Sequence, residues 1–467
     1  MKCLTNKVVL GLCIIGLLAA CNTRSSFDEI GSKPNIILLL ADDLGYGDLT
    51  CYGGQAVHTP NIDKLAQAGI RYTRFYSASG VCTPSRASIL TGKYPLRFDI
   101  RMHFKDAGEH LPAGIETLPK ILKEAGYATA HIGKWHLGGL RKEDYEARFA
   151  GLKADPGPLQ HGFDYALTSI EGPPRQRLLK ERKLYRESGK YLIRNDQHAP
   201  ADFNHWTEIK INEAITLLEE WKNEEQAFFL NLWFDVPHTP YEPAPEPHLS
   251  KYEKMDATGD QLYFRSMVSH LDENIGRLVS KLKELGLYEN TLILFTSDNG
   301  AAWEGEVGPF KGGKTDLHEG GIRVPFFAVW PEKITENQVT FQTGHHIDLL
   351  PTICEAVGAS YQEEIDGISL IPNLTELTEI KRGVLYWQLN IYQVLQRHYR
   401  KPEPYASTVA FRGPWKLLLD SVTPLELFHL ENDPHEVMNL LKEYPEIVKE
   451  LTDETKQFLN QPRNSWN

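Results

Sequence analysis

Asn35-Ile36-Ile37-Leu38-Leu39-Leu40 carries no charge and has no polar alternation, the pattern of a strand whose two faces are both buried in a parallel sheet. Asp42 and Asp43 follow at once. The same pairing of a strand with a polar cluster recurs along the chain. Ile70 to Tyr76 is followed by Val81-Cys82-Thr83-Pro84-Ser85-Arg86, and Tyr127 to Ile132 by Lys134 and His136. Phe228 to Phe234 is followed by Asp235 and His238, and Thr291 to Thr296 by Asp298 and Asn299. Open parallel sheets bind ligands beyond the carboxyl ends of their strands, so these five ends predict one shared site.

Helix signals separate the strands. Thr59 as N-cap, Pro60 in the first turn and Asp63 at the positive end start one helix, and Gly69 stops it. Thr117 to Ala125, closed by Gly126, is a second. Ile211, Ile215 and Leu218 mark a third, and Ile275, Leu278, Leu282 and Leu285 a fourth that ends at Gly286. With one more strand at Val324 to Trp330, the alternation predicts an α/β fold: a large mixed, mostly parallel sheet sandwiched by helices. Glu171 to Pro200 reads as an inserted polar loop, and Pro240, Pro243, Pro245 and Pro247 as a stiff extended segment. Beyond residue 345 the strands are shorter. Thr408 to Phe411, Trp415 to Leu419 and Leu425 to Leu430 predict a small antiparallel sheet, with a closing helix at Glu446 to Leu459. The expected division is a catalytic α/β domain over 33–344 and a smaller C-terminal α+β subdomain over 345–467.

The N-terminus is read as an export signal. Lys2 and Lys7 precede an apolar stretch, Val8 to Ala20, that is too short to span a bilayer. Leu18-Ala19-Ala20-Cys21 resembles the lipobox of bacterial lipoproteins, in which the thiol is lipidated and becomes the new N-terminus. The alternative is a plain secretory signal cut near Ala20. The lipobox reading makes 1–20 a signal peptide and 21–32 a tether, with the membrane reached by a lipid anchor at Cys21 only. It places the protein at the periplasmic face of a membrane or the cell surface. Cys51, Cys82 and Cys354 then remain, too few for a disulfide framework. With 62 acidic residues against 50 Lys and Arg, the formal charge is −12, which gives no general attraction to nucleic acid or anionic lipid. An anionic substrate must be drawn into a local cationic pocket against that field.

Asp42, Asp43, Asp298 and Asn299 are hard oxygen donors from two strand ends, suited to Ca²⁺ or, less well, Mg²⁺. Asp-Asp after a strand can equally be a turn or a helix cap. Pro84 fits the first turn of a helix, which leaves Cys82 at the positive end with Arg86 able to reach back. A thiolate there could itself be a nucleophile, but an Asp-rich site is a poor partner for sulfur. Lys134 and His136, at alternate positions after a strand, point the same way.

Cys82-Thr83-Pro84-Ser85-Arg86, followed by Ala87-Ser88-Ile89-Leu90-Thr91-Gly92, resembles the signature of the formylglycine-dependent sulfatases. The resemblance extends through Asn35 to Asp43, Gly133-Lys134-Trp135-His136-Leu137-Gly138, Pro237-His238-Thr239-Pro240, Ser297-Asp298-Asn299-Gly300, Lys314 through Arg323 and Leu427 to Pro434. It implies an alkaline-phosphatase-like fold and a Cys82 oxidised to Cα-formylglycine by a dedicated maturation enzyme. It further implies that one hydroxyl of the hydrated aldehyde attacks sulfur, the alcohol leaves, and the second hydroxyl expels sulfate. By the same resemblance Asp42, Asp43, Asp298 and Asn299, with residue 82, bind one calcium ion, and Arg86 holds residue 82. Lys134 and Lys314 bind sulfate oxygens, His238 protonates the leaving oxygen, and His136 takes the proton that triggers sulfate release. Asp298 assists the first attack. Lys311 is the nearby rival of Lys314, and Thr315-Asp316 departs from the more usual Gly-Thr.

Exported proteins of this kind commonly act on sulfated carbohydrate, of glycosaminoglycan, mucin or algal type. Arg97, Arg101, His103, His161, Arg175 and Arg177 are the candidates for sugar contacts. Two other readings are a phosphodiesterase or phosphonate monoester hydrolase of the same superfamily, and a non-catalytic lipoprotein that binds sulfated glycans.

Overall fold

Alternate residues of β1 (Asn35–Ala41) face two different cores, which is why the run shows no polar alternation. Ile36, Leu38 and Leu40 pack with Ile70, Ala87, Ile89, Leu122 and Leu350; Ile37, Leu39 and Ala41 pack with Ile62, Leu218, Leu271 and Ile275. The computed structural model that shows this describes residues 33–461 except 105–107, 170, 172–191, 201, 203 and 391–404. Cys21, the N-terminal signal, Arg175 and Arg177 therefore lie outside the described residues.

β1 is central. It runs parallel to β7 (Phe228–Trp233), with Ile36 opposite Phe229, and to β8 (Thr291–Ser297), with Asn35 opposite Thr291. The sheet extends on one side through β3 (Ala128–Gly133), β4 (Tyr165–Ser169), β5 (Leu192–Arg194) and β6 (Gln197–His198). On the other side lie β9 (Phe326–Val329), β2 (Ile70–Tyr76) and β10 (Gln338–His345), giving ten strands in the order β10-β2-β9-β8-β1-β7-β3-β4-β5-β6. Only β9 and β5 run against the rest. Helices Pro60–Gln67, Trp206–Asn223 and Gly259–Glu284 cover one face, and Cys82–Thr91, Leu118–Glu124 and Leu349–Val357 the other. The fold class is the one expected from the alternation of strands and helices.

Three local expectations change. The stretch 171–200 is not all loop: Leu192 and Ile193 are buried, and β5 and β6 continue the sheet beyond β4 in antiparallel register. A two-residue apolar pair inside a polar stretch gives too short a period to read as a strand. The strand expected at Val324 to Trp330 shortens to β9 and is antiparallel, because the chain returns from β8 by a long loop rather than a crossover helix. The small sheet has a fourth strand: β11 (Leu385–Gln388) joins β12 (Thr408–Arg412), β13 (Trp415–Asp420) and β14 (Thr423–His429), all antiparallel. Helix Pro445–Leu459 packs Leu451 against Ala410, Leu417 and Leu427 of that sheet.

The described residues from Pro34 onward pack as one unit. The strand content divides after His345, yet a shared apolar cluster joins Tyr76, Val81, Ile322 and Ile347 to Trp387, Phe411 and Phe428. A buried polar knot lies beside it. Lys416 Nζ sits 2.9 Å from Glu319 Oε1 and 2.8 Å from Glu436 Oε1, Arg323 Nη1 sits 3.2 Å from Glu319 Oε2, and Tyr76 donates to Glu319 Oε2 at 2.9 Å. Burial pushes the Glu319 carboxyl up, but Lys416 and Arg323 outweigh it and hold it below the ordinary value. Trp387 Nε1 donates to Ser77 O at 2.7 Å, tying the small sheet to the segment that leads into helix Cys82–Thr91. Among the described residues the three thiols are free, and no helix is long and apolar enough to cross a membrane.

Lys416→Met removes the one charge shared by Glu319 and Glu436. Glu319 keeps Arg323, but Glu436 loses its buried partner, and breaking such a pair costs about 3–5 kcal/mol. Thermal unfolding of this variant is expected to show a lower Tm; an unchanged Tm would show that the knot does not hold the two sheets together.

Candidate active site

The strands that end in polar clusters deliver side chains to one place, with the exception of Asp235 after β7, which pairs instead with Lys210 and with Trp206 Nε1 at 2.5 Å. Asp42 and Asp43 leave β1, and Asp298 and Asn299 leave β8, all of them buried. Cys82 opens helix Cys82–Thr91, with Val81 as N-cap in extended backbone. Pro84 lies in the first turn, where its missing N–H costs nothing. Gly133 ends β3 at φ 116°, and a Cβ there would meet Trp233 O at 1.8 Å, so only glycine lets the chain turn to present Lys134.

The side chains form one charge-balanced cluster. Lys134 Nζ lies 2.6 Å from Asp42 Oδ2, and Lys314 Nζ lies 2.7 Å from Asp43 Oδ2 and 3.7 Å from Cys82 Sγ. Arg86 donates to Asp298 Oδ2 from Nε at 3.1 Å and from Nη2 at 2.6 Å, and to Lys134 O from Nη1 at 3.0 Å. The thiol of Cys82 is 3.5 Å from Asp42 Oδ1. Asp43 N donates to Asp298 Oδ1 at 3.2 Å, and Asn299 Nδ2 to Asp43 Oδ1 at 2.8 Å, locking the ends of β1 and β8 together. Arg86 Nη2 also lies 3.7 Å from Asp42 Oδ1, so its guanidinium faces two of the buried carboxylates. Lys311 pairs with Glu426 at 3.1 Å, so Lys314, not its rival, stands at the cluster.

His238 Nε2 is 3.7 Å from Asp43 Oδ2, and its Nδ1 is 2.5 Å from Thr239 O. His136 donates its backbone N–H to Glu171 at 2.8 Å, and its ring stacks on His103 with centroids 5.1 Å apart. Donor atoms of Cys82, His103 and His136 lie within 4.8 Å of one another, as do those of Asp42, Asp43, Cys82 and His238. The other expected sugar contacts scatter. Arg97 binds Asp366 at 2.6 Å and Arg101 binds Asp99 at 2.8 Å. His161 does not reach the mouth at all. It is fully buried, with Nδ1 2.8 Å from Gly157 O and Nε2 2.9 Å from Leu111 O, a structural histidine.

The electrostatics favour neutral imidazoles and a neutral thiol. Burial, with the Lys314 charge, lowers His238 to about 4, and burial with Lys134 holds His136 well below its ordinary value. Burial and the nearby Asp298 push the Cys82 thiol up, so a thiolate is disfavoured despite the helix N-terminus. Burial also acts on Asp42, but Lys134, His238, Arg86 and Lys314 outweigh it and keep the carboxyl ionised; Asp298 is raised to about 6 by burial and by Asp42.

Three buried carboxylates face three buried bases, so an arriving anion would leave excess negative charge. A divalent cation would restore the balance. The donor set suits one: carboxylate oxygens from Asp42, Asp43 and Asp298, and a buried Asn299 Oδ1 that has no hydrogen-bond partner. Sequence reasoning passed over Glu171, Tyr241 and Trp303.

Comparison with known proteins agrees with this geometry. Residues 34–359 match the family described as Sulfatase, and residues 305–462 match the family described as N-sulphoglucosamine sulphohydrolase, C-terminal. The chain is 33% identical over 404 residues to the N-acetylgalactosamine-6-sulfatase of Rattus norvegicus, covering 81% of this chain and 71% of that protein. Among solved structures, Ps i-CgsB in complex with k-i-k-neocarrahexaose aligns with a TM-score of 0.77 at 28% identity, covering 92% of this chain and 94% of that one. The PsFucS1 sulfatase from Pseudoalteromonas sp. aligns with a TM-score of 0.72 at 27% identity, covering 91% and 90%.

Calcium added to metal-free protein is expected to raise Tm, because a ligand that binds only the folded state stabilises it by about 4 kcal/mol at a thousandfold excess over Kd. Asp43→Asn should abolish most of that rise. Differential scanning calorimetry with and without chelator checks this, and a calcium response that survives the substitution would remove Asp43 from the ligand set.

Proposed function

The chain belongs to the sulfatase family of sulfuric ester hydrolases, and from that premise we propose that it removes sulfate esters from a sulfated glycan, using a formylglycine made from Cys82 and one calcium ion. The observation that carries this reading is the placement of Cys82 at a helix N-terminus among Lys134, Lys314 and Arg86. These are fixed cations within a charge-balanced cluster, and fixed charges aimed at an anionic reacting group need no reorganisation during the reaction. The glycan part of the proposal is supported by the relatives, one named for N-acetylgalactosamine sulfate and one solved with neocarrahexaose.

Asp42, Asp43, Asp298 and Asn299 would hold the calcium ion, which when bound supplies Lewis-acid polarisation and offsets the charge of the sulfate. Formylglycine at position 82 supplies, as its hydrate, an oxygen nucleophile that the buried thiol cannot replace. Lys134 and Lys314 bind the sulfate oxygens, and the bidentate Arg86–Asp298 contact keeps the Asp298 carboxylate beside position 82. His238 acts from Nε2, since its Nδ1 is engaged with Thr239 O. It would protonate the departing alcohol oxygen after taking up a proton, since burial and Lys314 leave the resting imidazole neutral. His136 has a buried Nδ1 without a hydrogen-bond partner, and its lone pair can accept the proton whose loss releases sulfate. A maturation enzyme that oxidises Cys82 is the partner this mechanism requires.

Enzyme produced in a host that converts the cysteine should be about 18 Da lighter at the peptide carrying residue 82, the mass change of this covalent conversion. It should release sulfate from sulfated saccharides such as N-acetylgalactosamine 6-sulfate and neocarra-oligosaccharides, and faster from a sulfate ester than from the phosphate ester of the same alcohol. Cys82→Ala should lose turnover with its Tm kept, and Asp298→Ala should lose both turnover and bound calcium. Full-speed turnover by protein whose residue 82 retains sulfur would refute the mechanism, and phosphate-ester preference would support the phosphodiesterase reading instead.

We propose also that the chain is exported and lipid-anchored at Cys21, on the strength of Leu18-Ala19-Ala20-Cys21 after the apolar stretch. Full-length protein expressed in a bacterium should partition into the detergent phase, and Cys21→Ala should move it to the aqueous phase. Aqueous partition of both would leave the plain secretory signal as the better reading.

A further inference from the structure

Trp303 is unusual in two ways. It is a large aromatic residue left 55% exposed, and it sits at φ 49°, a left-handed conformation that an aromatic side chain rarely adopts. Its backbone neighbours are nonetheless fixed. The Tyr241 hydroxyl donates to Ala302 O at 3.3 Å and accepts from Glu304 N at 3.3 Å, so one phenol clamps the chain on both sides of Trp303. Glu306 N donates to Asp48 Oδ1 at 2.8 Å, and Gly47 N donates to Glu306 O at 2.8 Å. Lys314 N donates to Ala301 O at 2.8 Å.

These ties place the residue. Tyr241 lies three positions beyond His238 on the loop after β7, Gly47 and Asp48 lie on the loop after β1, and Trp303 itself lies four positions beyond Asn299 on the loop after β8. Three loops that supply the catalytic cluster are thus tied to one another around the segment 301–306 that carries Trp303. Its backbone is tied on both sides, and its side chain is 55% exposed. Exposed aromatics scattered on a surface need no explanation, but this one is carried on a strained backbone tied on both sides, four residues beyond Asn299.

A hexopyranose ring has an apolar face of C–H groups and a polar edge, and a flat exposed indole covers such a face with little loss of side-chain freedom. Resting on the glycan reading above, we infer that Trp303 is the stacking platform for the sugar ring next to the sulfated one, and so a specificity-determining residue for saccharides longer than one unit. Sulfate binding anchors one ring in the pocket, and the indole orients the next.

Converted wild type, Trp303→Ala and Trp303→Phe are compared on one sulfated sugar supplied as monosaccharide and as disaccharide. The probes are N-acetylgalactosamine 6-sulfate, N-acetylglucosamine 6-sulfate and a sulfated galactose of the carrageenan series. On the probe the wild type turns over best, Trp303→Ala should lower kcat/KM for the disaccharide about tenfold more than for the monosaccharide, chiefly through KM, the loss expected for truncating one aromatic anchor. Trp303→Phe should restore most of the difference. An equal fall on both substrates, or no recovery with phenylalanine, overturns the inference while leaving the sulfatase reading intact. Wild type that turns over none of the saccharides but hydrolyses an aryl sulfate overturns the glycan reading, and the inference with it.

Discussion

Opposing charges buried at the carboxyl ends of β1 and β8 set the terms for the rest of the molecule. Asp42, Asp43 and Asp298 are each removed from water, and each is matched by a base carried on a different segment: Lys134 after β3, Lys314 before β9 and Arg86 on helix Cys82–Thr91. An unpaired buried carboxylate costs several kcal/mol, so none of these segments can shift without penalty to the others. The cluster is a weak source of net stability and a strong source of registration. It brings together in space residues as far apart in the chain as 42 and 314. It also prepares the site for anions, because the bases that neutralise the carboxylates are the cations a sulfate would meet.

That arrangement explains what could be read without a structure. The strands were legible because both of their faces are buried, which writes an unbroken apolar run into the chain, as in Ile36 to Leu40. The candidate site was legible because a parallel sheet collects one end of every strand, so Asp42, Cys82, Lys134, His238 and Asp298 had to converge once the strands were assigned. What escaped was determined by tertiary contacts with no local period. β5 is three residues long and is a strand only because β4 offers an edge. The reversed direction of β9 depends on how the 298–325 loop folds back. His161 looks like a surface histidine until Leu111 O and Gly157 O are seen to hold it. Trp303 carries no motif, and its exposure and backbone angle exist only in the folded chain.

The small sheet bears on the site through Glu319. This residue begins the short helix Glu319–Ile322, five positions after Lys314, and its carboxylate is shared by Lys416 of β13, Arg323 and Tyr76. His318 adds a second tie: Nδ1 lies 2.7 Å from Asp316 and Nε2 lies 2.7 Å from Glu426 of β14, an arrangement that raises its pKa, against burial, through both carboxylates. The loop that carries Lys314 is thus fastened on one flank by the large sheet and on the other by the small one. Deleting the C-terminal residues would remove no group from the catalytic cluster, yet would free the segment that aims Lys314.

Backbone strain marks the same loops. Asp43, His136, Trp303 and Thr315 all have φ between 49° and 69°, where a residue with a Cβ loses roughly 1–2 kcal/mol. Thr315 is the most strained in kind, because it is β-branched. Each is held by a bond to a segment other than its own. Asp43 N reaches Asp298, His136 N reaches Glu171, Thr315 N reaches Gly80 O at 2.8 Å, and the residues flanking Trp303 reach Tyr241. The strain is therefore sustained by cross-ties between loops. Catalysis on an already anionic ester needs its cations in position before the substrate arrives, since reorienting them during the reaction would forfeit their advantage. A ring of mutually tied, strained loops meets that requirement at a cost spread over the whole fold.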